Sequence, residues 1–140
     1  IILANQNKKI PIYGKGNIIR DWIFVDDHCD AILMSILNGK EGESYNVSAN
    51  NEIDNISIVK KILQLMNKSE ELIEFVEDRP GHDFRYSLDS TKITKELGWK
   101  INTTFDEGIK NTVQWYLENP DILNNISSTV LDSTPWKSSN

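Results

Sequence analysis

Apolar residues recur at helical spacing in several stretches of the chain. In the first stretch they lie three or four residues apart and predict one buried helix stripe, formed by Cys29, Ile32, Leu33, Ile36 and Leu37. The pair Asn38-Gly39 predicts the end of this helix, because glycine is common just after a last helical turn. Asp26, with Asp27 beside it, is predicted to cap the helix at its start.

Further helices are predicted in the second half of the chain. One covers 58–66, and a shorter one covers 90–97 and ends at Gly98. The last helix begins at a capping-box pattern, Thr104 with Glu107 three residues later. Its apolar stripe consists of Phe105, Ile109, Val113, Tyr116 and Leu117. Three tryptophans, Trp22, Trp99 and Trp115, are predicted to lie in or near the core.

Short strands are predicted between these helices. They cover 10–14, 19–25, 44–47 and 72–76, where β-prone residues stand between turn signals. Pro11 has no N–H to donate, so the first strand is expected at a sheet edge. The order of elements predicts an α/β fold with mixed α and β (α+β) in one compact unit.

Composition limits the function. The chain has 140 residues and a formal net charge of −6, which argues against a nucleic-acid partner. No apolar run approaches the roughly 20 residues of a membrane span. A single cysteine cannot form an internal disulfide, so a cytoplasmic location is expected. With two histidines and one cysteine, no metal site is expected.

The ends of the chain carry their own signals. The chain opens on Ile1 in the middle of an apolar pattern, which indicates a piece of something longer. From Asn124 onward Ser, Thr and Asn dominate and periodicity is lost. We therefore expect a domain over 1–118 and a polar, partly disordered tail over 119–140, with Trp136 as the residue that could dock it.

Two loops concentrate polar groups. The Gly14-Lys15-Gly16 turn lacks the third glycine of a dinucleotide fingerprint and the ending of a P-loop, so an ordinary glycine turn is expected there. In the second loop, Arg79 precedes Pro-Gly, and His82 and Arg85 follow. These side chains can bind an anion, since arginine grips phosphate oxygens at two points. Alternatively, Arg79 and Arg85 pair on the surface with the acidic residues nearby, Asp78, Asp83 and Asp89.

Longer strings of residues resemble a known family. Ile-Pro-Ile-Tyr-Gly-Lys-Gly over 10–16 and Arg-Asp-Trp-Ile-Phe-Val-Asp-Asp-His over 20–28 resemble the C-terminal half of extended short-chain dehydrogenases that act on nucleotide sugars. Within that family, Asp-Arg-Pro-Gly-His-Asp-Phe-Arg-Tyr over 78–86 and Lys-Glu-Leu-Gly-Trp over 95–99 are similar to the dTDP-glucose 4,6-dehydratases. Tyr-Asn-Val over 45–47 adds to the resemblance, which covers about 1–118.

The resemblance implies a small substrate-binding domain that lacks most of the Rossmann domain. Positions matching Pro11, Tyr13 and Arg20 lie along the dTDP moiety in the family. Positions matching Asn51, Arg79 and His82 contact the diphosphate or its ribose. The family has two glycines where this chain has Ser48 and Ala49, which would strain Ala49 if a positive φ were needed there and makes Asn51 the least certain of these assignments.

The resemblance also implies a reaction that these residues cannot complete. The family oxidises the sugar with tightly bound NAD, eliminates water and returns the hydride. The glycine-rich NAD loop, the Tyr-x-x-x-Lys pair and the acidic pair that it uses are missing here. We therefore expect NAD to be bound by an absent N-terminal half, an inactive chain on its own, and a parent enzyme that is a homodimer. The alternatives are part of another nucleotide-sugar epimerase or decarboxylase, or a non-catalytic sugar-nucleotide-binding module.

Overall fold

The secondary structure alternates short strands with helices. The structure is a computed structural model that describes residues 1–126 and residue 131. Its elements in chain order are α1 (Ile2–Asn5), β1 (Ile10–Tyr13), β2 (Ile19–Asp21), α2 (Val25–Asn38), β3 (Glu52–Asp54), α3 (Asn55–Leu65), a 3-10 turn (Glu70–Leu72), β4 (Ile73–Val76), α4 (Thr91–Leu97), α5 (Phe105–Glu118) and α6 (Pro120–Asn124). None of the helices in the described part is long and apolar enough to cross a membrane.

The chain divides into two compact units. Unit 1 comprises Ile1–Ile18, Asp54–Phe84 and the segment that starts at Lys110, whereas unit 2 comprises Ile19–Ile53 and Arg85–Ile109. The boundary expected at residue 118 stays a prediction. Helix α6 lies within the expected tail, and Trp136 lies outside the described residues.

Unit 1 is organised by a parallel pair of strands. β1 pairs with β4 in the register Ile10↔Ile73 to Tyr13↔Val76. Because the strands are parallel, both carboxyl ends lie at the same edge of the sheet. The buried apolar residues of this unit lie in α1, β1, α3 and α5 and just before β2. They are Ala4, Ile12, Ile18, Ile58, Leu63 and Val113.

Unit 2 has a core of Ala31, Ile93 and Trp99. Of these, Trp99 is 3% exposed and the other two are fully buried. The indole N–H of Trp99 donates to the Asp27 carbonyl at 3.1 Å. The Asp27 side chain is itself buried, and its two oxygens accept the backbone N–H groups of Asn102 and Thr103, each at 3.0 Å. A charged group so placed fastens the segment after α4 to the start of α2.

The predicted buried stripe on α2 is wrong. Four of its residues are large and exposed, with Ile36 at 74%, Leu37 at 69%, Leu33 at 54% and Ile32 at 49%, and Cys29 is exposed as well. The helix packs into unit 2 through the opposite side, where Asp27 and Ala31 are buried and Met34 packs against the core. The predicted helix forms, but the side that faces the core carries less apolar residues than the exposed side.

Other expectations also need correction. Residues 44–47 form no strand; Tyr45 and Val47 pack on the core of unit 2 without entering a ladder. Trp115 is not a core residue, since 49% of it is exposed. Neither Asp26 nor Asp27 is the N-cap of α2, because the helix starts at Val25 and Phe24 precedes it.

Several local predictions are confirmed. Helix α4 ends at Gly98, whose φ of 76° is a left-handed conformation that suits glycine. The capping box at α5 forms in both directions: the Glu107 N–H donates to the Thr104 hydroxyl at 3.4 Å, and the Thr104 N–H donates to the Glu107 carboxylate at 3.1 Å. Gly14 and Gly16 lie in a turn closed by the Gly16 N–H on the Tyr13 carbonyl at 3.0 Å.

We predict that Asp27→Ala destabilises the chain by about 2–4 kcal/mol, since two backbone donors lose a charged acceptor in a buried site. Urea unfolding followed by circular dichroism measures this. The matched control is Asp26→Ala on the exposed side of the same helical turn, for which a loss below about 1 kcal/mol is expected. Equal effects of the two substitutions would contradict the role of Asp27.

Candidate functional site

The carboxyl edge of the β1–β4 sheet gathers the polar groups of unit 1. Tyr13 ends β1, and the loop that carries Asp78 and His82 follows β4. The Tyr13 and His82 rings meet edge to face, with centroids 6.2 Å apart and an interplanar angle of 74°. Gly14 lies directly against Asp78, because a Cβ placed on it would come within 2.9 Å of the Asp78 carboxylate. The predicted site residues Tyr13 and His82 are therefore neighbours.

Asp78 orients the His82 ring. His82 Nδ1 lies 2.7 Å from Asp78 Oδ1, and only 7% of the His82 side chain is exposed. An ionised carboxylate can only accept, so Nδ1 carries the proton and Nε2 is left as an acceptor in the neutral ring. The hydrogen bond with His82 holds the pKa of the Asp78 carboxyl below its ordinary value of 3.8.

Arg79 stands at the surface of the same loop. Its backbone N–H donates to Asp78 Oδ1 at 2.9 Å, so the Asp78 carboxylate holds the loop on both sides of Pro80. The Arg79 residue is exposed, and its guanidinium has no hydrogen bond or ion pair with the described residues. This leaves the planar fork available to an anion.

Arg85, the second arginine of the loop sequence, has a structural role in unit 2. Its guanidinium makes two hydrogen bonds to the Glu52 carboxylate, at 2.6 and 2.5 Å. A hydrogen bond from Arg85, with a smaller contribution from one with Ser87, lowers the pKa of Glu52 to about 2. The surface pairing considered for Arg85 does form, but its partner is Glu52 rather than Asp78, Asp83 or Asp89.

Arg20 lies beside the same segment of unit 2. The segment reaches β2 through a bridge between Ile19 and Arg85 and through the Tyr86 N–H, which donates to the Ile19 carbonyl at 3.2 Å. The Arg20 guanidinium carbon is 5.0 Å from the centre of the Tyr86 ring, within cation–π range. Its Nη1 donates to the Ile19 carbonyl at 2.6 Å. Arg20 is thus held in a defined orientation.

Asp21 organises the loop before β3. Its carboxylate accepts from the Ser48 hydroxyl at 2.5 Å and from the backbone N–H groups of Ala49 at 2.8 Å and Asn51 at 2.7 Å. The positive φ of this loop falls on Asn50, at 56°, a residue type that tolerates it. Ala49 is therefore not strained, and the binding role of Asn51 stays a prediction.

The predicted site residues divide between the units. Tyr13, Arg79 and His82 belong to unit 1, as does Pro11, which lies in the middle of β1 opposite Glu74. Arg20 and Asn51 belong to unit 2.

Asp21, Asp78 and Tyr86 contact the predicted site residues, although the sequence predicts no binding role for them. Asp78 could have been found from its position four residues before His82. Nothing local in the sequence reveals that Asp21 bonds residues 48–51.

The glycine turn at 14–16 does not fit the phosphates of NAD. The Gly14–Gly16 turn cannot cradle a dinucleotide, because Asp78 lies against Gly14 and the side chains of Ile12 and Ile56 lie against Gly16. No group of three or more His, Cys, Asp or Glu side chains is placed to hold a metal ion in the part of the chain that the structure describes.

Comparisons of sequence and fold assign the chain to a family of dehydratases. The chain belongs to the GDP-mannose 4,6 dehydratase family, whose model matches residues 1–112. The dTDP-glucose 4,6-dehydratase of Salmonella typhimurium is 45% identical over 140 residues, a match that covers 95% of this chain and 39% of the relative.

Solved structures give the same result. The dTDP-glucose 4,6-dehydratase of Bacillus anthracis in complex with NAD is 42% identical with a TM-score of 0.80, over 85% of this chain and 38% of that one. DesIV, the dTDP-glucose 4,6-dehydratase of Streptomyces venezuelae, with NAD and TYD bound, is 35% identical with a TM-score of 0.83, over 86% of this chain and 37% of that one.

The chain therefore spans about two fifths of the length of these relatives. The predicted resemblance to a C-terminal part of the dehydratase is confirmed, as is the mixed α/β fold of a partial extended short-chain dehydrogenase.

We predict that the Asp78 carboxyl titrates with a midpoint below 3.8. Because its pKa is lower in the folded chain than in the unfolded one, the Asp78–His82 contact contributes stability above pH 3.8 and loses it as the pH falls through the lowered value. The ¹³C shift of the Asp78 carboxyl measures the midpoint, and His82→Ala should raise it. His28→Ala, at the other histidine, should leave it unchanged; an equal rise would contradict the assignment.

Asp21→Ala should loosen the loop before β3. Three donors lose their acceptor, so we expect a destabilisation of about 2–3 kcal/mol and at least tenfold faster amide exchange at Ala49 and Asn51. Hydrogen–deuterium exchange followed by NMR measures both amides. Asp30→Ala, on the exposed side of α2, is the control. Unchanged protection in Asp21→Ala would show that the loop is held by other contacts.

Proposed function

We propose that the chain supplies the nucleotide-sugar-binding side of a dTDP-glucose 4,6-dehydratase. The observation that carries the proposal is the Arg79 loop: an exposed guanidinium follows a carboxylate that also fixes the His82 ring. An anion placed there would meet a bidentate donor on a loop already folded to receive it. The identity with dTDP-glucose 4,6-dehydratases from several bacteria supports the choice of nucleotide.

Each residue has a role in this proposal. Arg79 binds the diphosphate, and His82, with Nδ1 given to Asp78, presents Nε2 to a ribose hydroxyl or, when protonated, to a phosphate oxygen. Pro11 and Tyr13, both half-buried on β1, lie along the nucleotide. The proposal also gives binding roles to Arg20 and Asn51 of unit 2. The Arg20 guanidinium lies over the Tyr86 ring, and Asp21 accepts the backbone N–H of Asn51.

The proposed reaction converts dTDP-glucose to dTDP-4-keto-6-deoxyglucose with loss of water. Bound NAD would supply the hydride acceptor for this reaction. The residues here bind and orient the nucleotide and move no proton or hydride, so we propose that the chain is inactive alone and works with an N-terminal NAD-binding portion. The homodimeric parent and the cytoplasmic location, the latter resting on the single cysteine, belong to the same proposal.

Arg79→Ala should weaken dTDP binding by about 1–3 kcal/mol, because a charged hydrogen-bond donor is lost. The measurement is calorimetry with dTDP. The protein used is a fusion in which this chain follows the N-terminal portion of the Salmonella typhimurium relative. The isolated chain should bind dTDP only weakly, since part of the cleft is missing. Lys110→Ala, an exposed cation in α5, is the matched control.

Two outcomes would contradict this function. Unchanged dTDP affinity in Arg79→Ala would remove Arg79 from the site. Tighter binding of GDP than of dTDP would favour a GDP-sugar substrate, of the kind after which the GDP-mannose 4,6 dehydratase family is named.

A further inference from the structure

The Arg20 side chain meets an aromatic ring from a distant part of the sequence. Arg20 lies in β2, whereas Tyr86 lies in the segment between β4 and α4. The Arg20 guanidinium carbon is 5.0 Å from the centre of the Tyr86 ring. Arg20 Nη1 and the Tyr86 N–H also donate to one acceptor, the Ile19 carbonyl, at 2.6 and 3.2 Å. The two residues are therefore joined by a shared backbone acceptor as well as by the ring contact.

An ion pair holds the segment that carries Tyr86. Arg85 bridges to Ile19 of β2, and its guanidinium makes two hydrogen bonds to the Glu52 carboxylate of β3, at 2.6 and 2.5 Å. Because β2 pairs with β3 and also with Arg85, this ion pair joins the two segments that flank β2. Exposed ion pairs add little to stability, but a two-point contact between arginine and carboxylate fixes geometry. The Glu52–Arg85 pair therefore fixes the backbone from which the Tyr86 ring extends.

Packing of the core does not account for this arrangement. Tyr86 is 55% exposed, and Glu52 and Arg85 are exposed as well, so none of the three fills the interior of unit 2. A long charged side chain in water samples many rotamers, and ordering it costs conformational entropy. Arg20 is nevertheless held by both a ring and a carbonyl. What the arrangement provides is a guanidinium of fixed orientation.

We propose that Tyr86 is a positioning residue that orients the Arg20 guanidinium for dTDP, and that the Glu52–Arg85 pair holds Tyr86 in place for this role. The inference rests on the proposed function, which makes Arg20 a binding residue. A side chain that is ordered before the ligand arrives loses less freedom on binding, so affinity rises without a new contact to the ligand. Tyr86 thus acts through Arg20 and does not touch dTDP.

The orientation of Arg20 is measured by NMR on the 140-residue chain without ligand. Ring currents shift protons above an aromatic ring upfield, so the Arg20 side-chain resonances should lie upfield of those in Tyr86→Leu. Tyr86→Phe keeps the ring and should keep the shift. Leu88→Ala, at an exposed leucine of the same segment, is the control and should leave it unchanged. Equal Arg20 resonances in the unmodified chain and in Tyr86→Leu would overturn the proposal.

The role of the ion pair is measured on the same resonances. Glu52→Gln keeps the size of the side chain but removes its charge, so the two hydrogen bonds from Arg85 weaken. The Arg20 resonances should then move towards their positions in Tyr86→Leu. Unchanged resonances in Glu52→Gln would remove the Glu52–Arg85 pair from the proposal.

Binding is measured by titrating the same chain with dTDP and following its amide resonances, a method suited to weak affinities. Tyr86→Leu should weaken binding about two- to fivefold, the effect of losing an exposed cation–π contact, and Tyr86→Phe should restore most of the affinity. In an Arg20→Ala background, Tyr86→Leu should cause no further loss. An equal loss in that background would show that Tyr86 contacts dTDP itself and would overturn the proposal.

The titration also separates this proposal from the function on which it rests. Equal dTDP affinities of the unmodified chain and of Tyr86→Leu keep the nucleotide site and reject the role of Tyr86. Absence of dTDP binding to the unmodified chain, with the Arg20 resonances still shifted, rejects the proposed function. The Tyr86–Arg20 contact would then be purely structural, which overturns the positioning role as well.

Discussion

The parallel pairing of β1 with β4 is the constraint on which the unit 1 site depends. Parallel strands end at a common edge, so the turn after Tyr13 and the loop after Val76 meet although they are far apart in sequence. An antiparallel pair would send the Asp78 loop to the opposite end of β1. The Tyr13–His82 ring contact and the approach of Asp78 to Gly14 are direct consequences of strand direction.

Carboxylates that accept backbone N–H groups hold the irregular segments. Asp21 fixes the loop before β3, Asp27 fixes the segment after α4, and Asp78 fixes its own loop. A charged acceptor makes stronger hydrogen bonds than a neutral one, which matters where no ladder of strand or helix bonds is present. An acidic chain thus uses some of its negative charge to order loops, the Arg79 loop among them.

The sequence predicted where helices begin and end better than it predicted which of their sides are buried. The capping box at Thr104 and the glycine after α4 depend on neighbouring residues only, and both form. The burial of α2 could not be read in the same way, because periodicity identifies an apolar side without saying what covers it. The strand expected at 44–47 does not form for a similar reason. Tyr45 and Val47 pack on the core, but no strand in the described part of the chain lies beside them to complete a ladder.

The candidate site was predicted from the resemblance rather than from physical pattern. Spacing alone allowed Arg79 either an anion or a surface carboxylate, and it treated Arg85 in the same way. The structure distinguishes the two arginines. The Arg85 guanidinium is paired with the Glu52 carboxylate, whereas no side chain among the described residues forms an ion pair with Arg79. Long-range contacts such as those of Asp21 with residues 48–51 depend on the tertiary fold and have no local signature.

Gly14 shows how narrow the tolerance for substitution is at this edge. Its φ of 58° disfavours any side chain, and a Cβ would come within 2.9 Å of Asp78. Even alanine would therefore push the carboxylate that orients both His82 and the Arg79 backbone. A side chain at position 14 would therefore disturb the Asp78 loop from outside it, without any change in the loop's own residues.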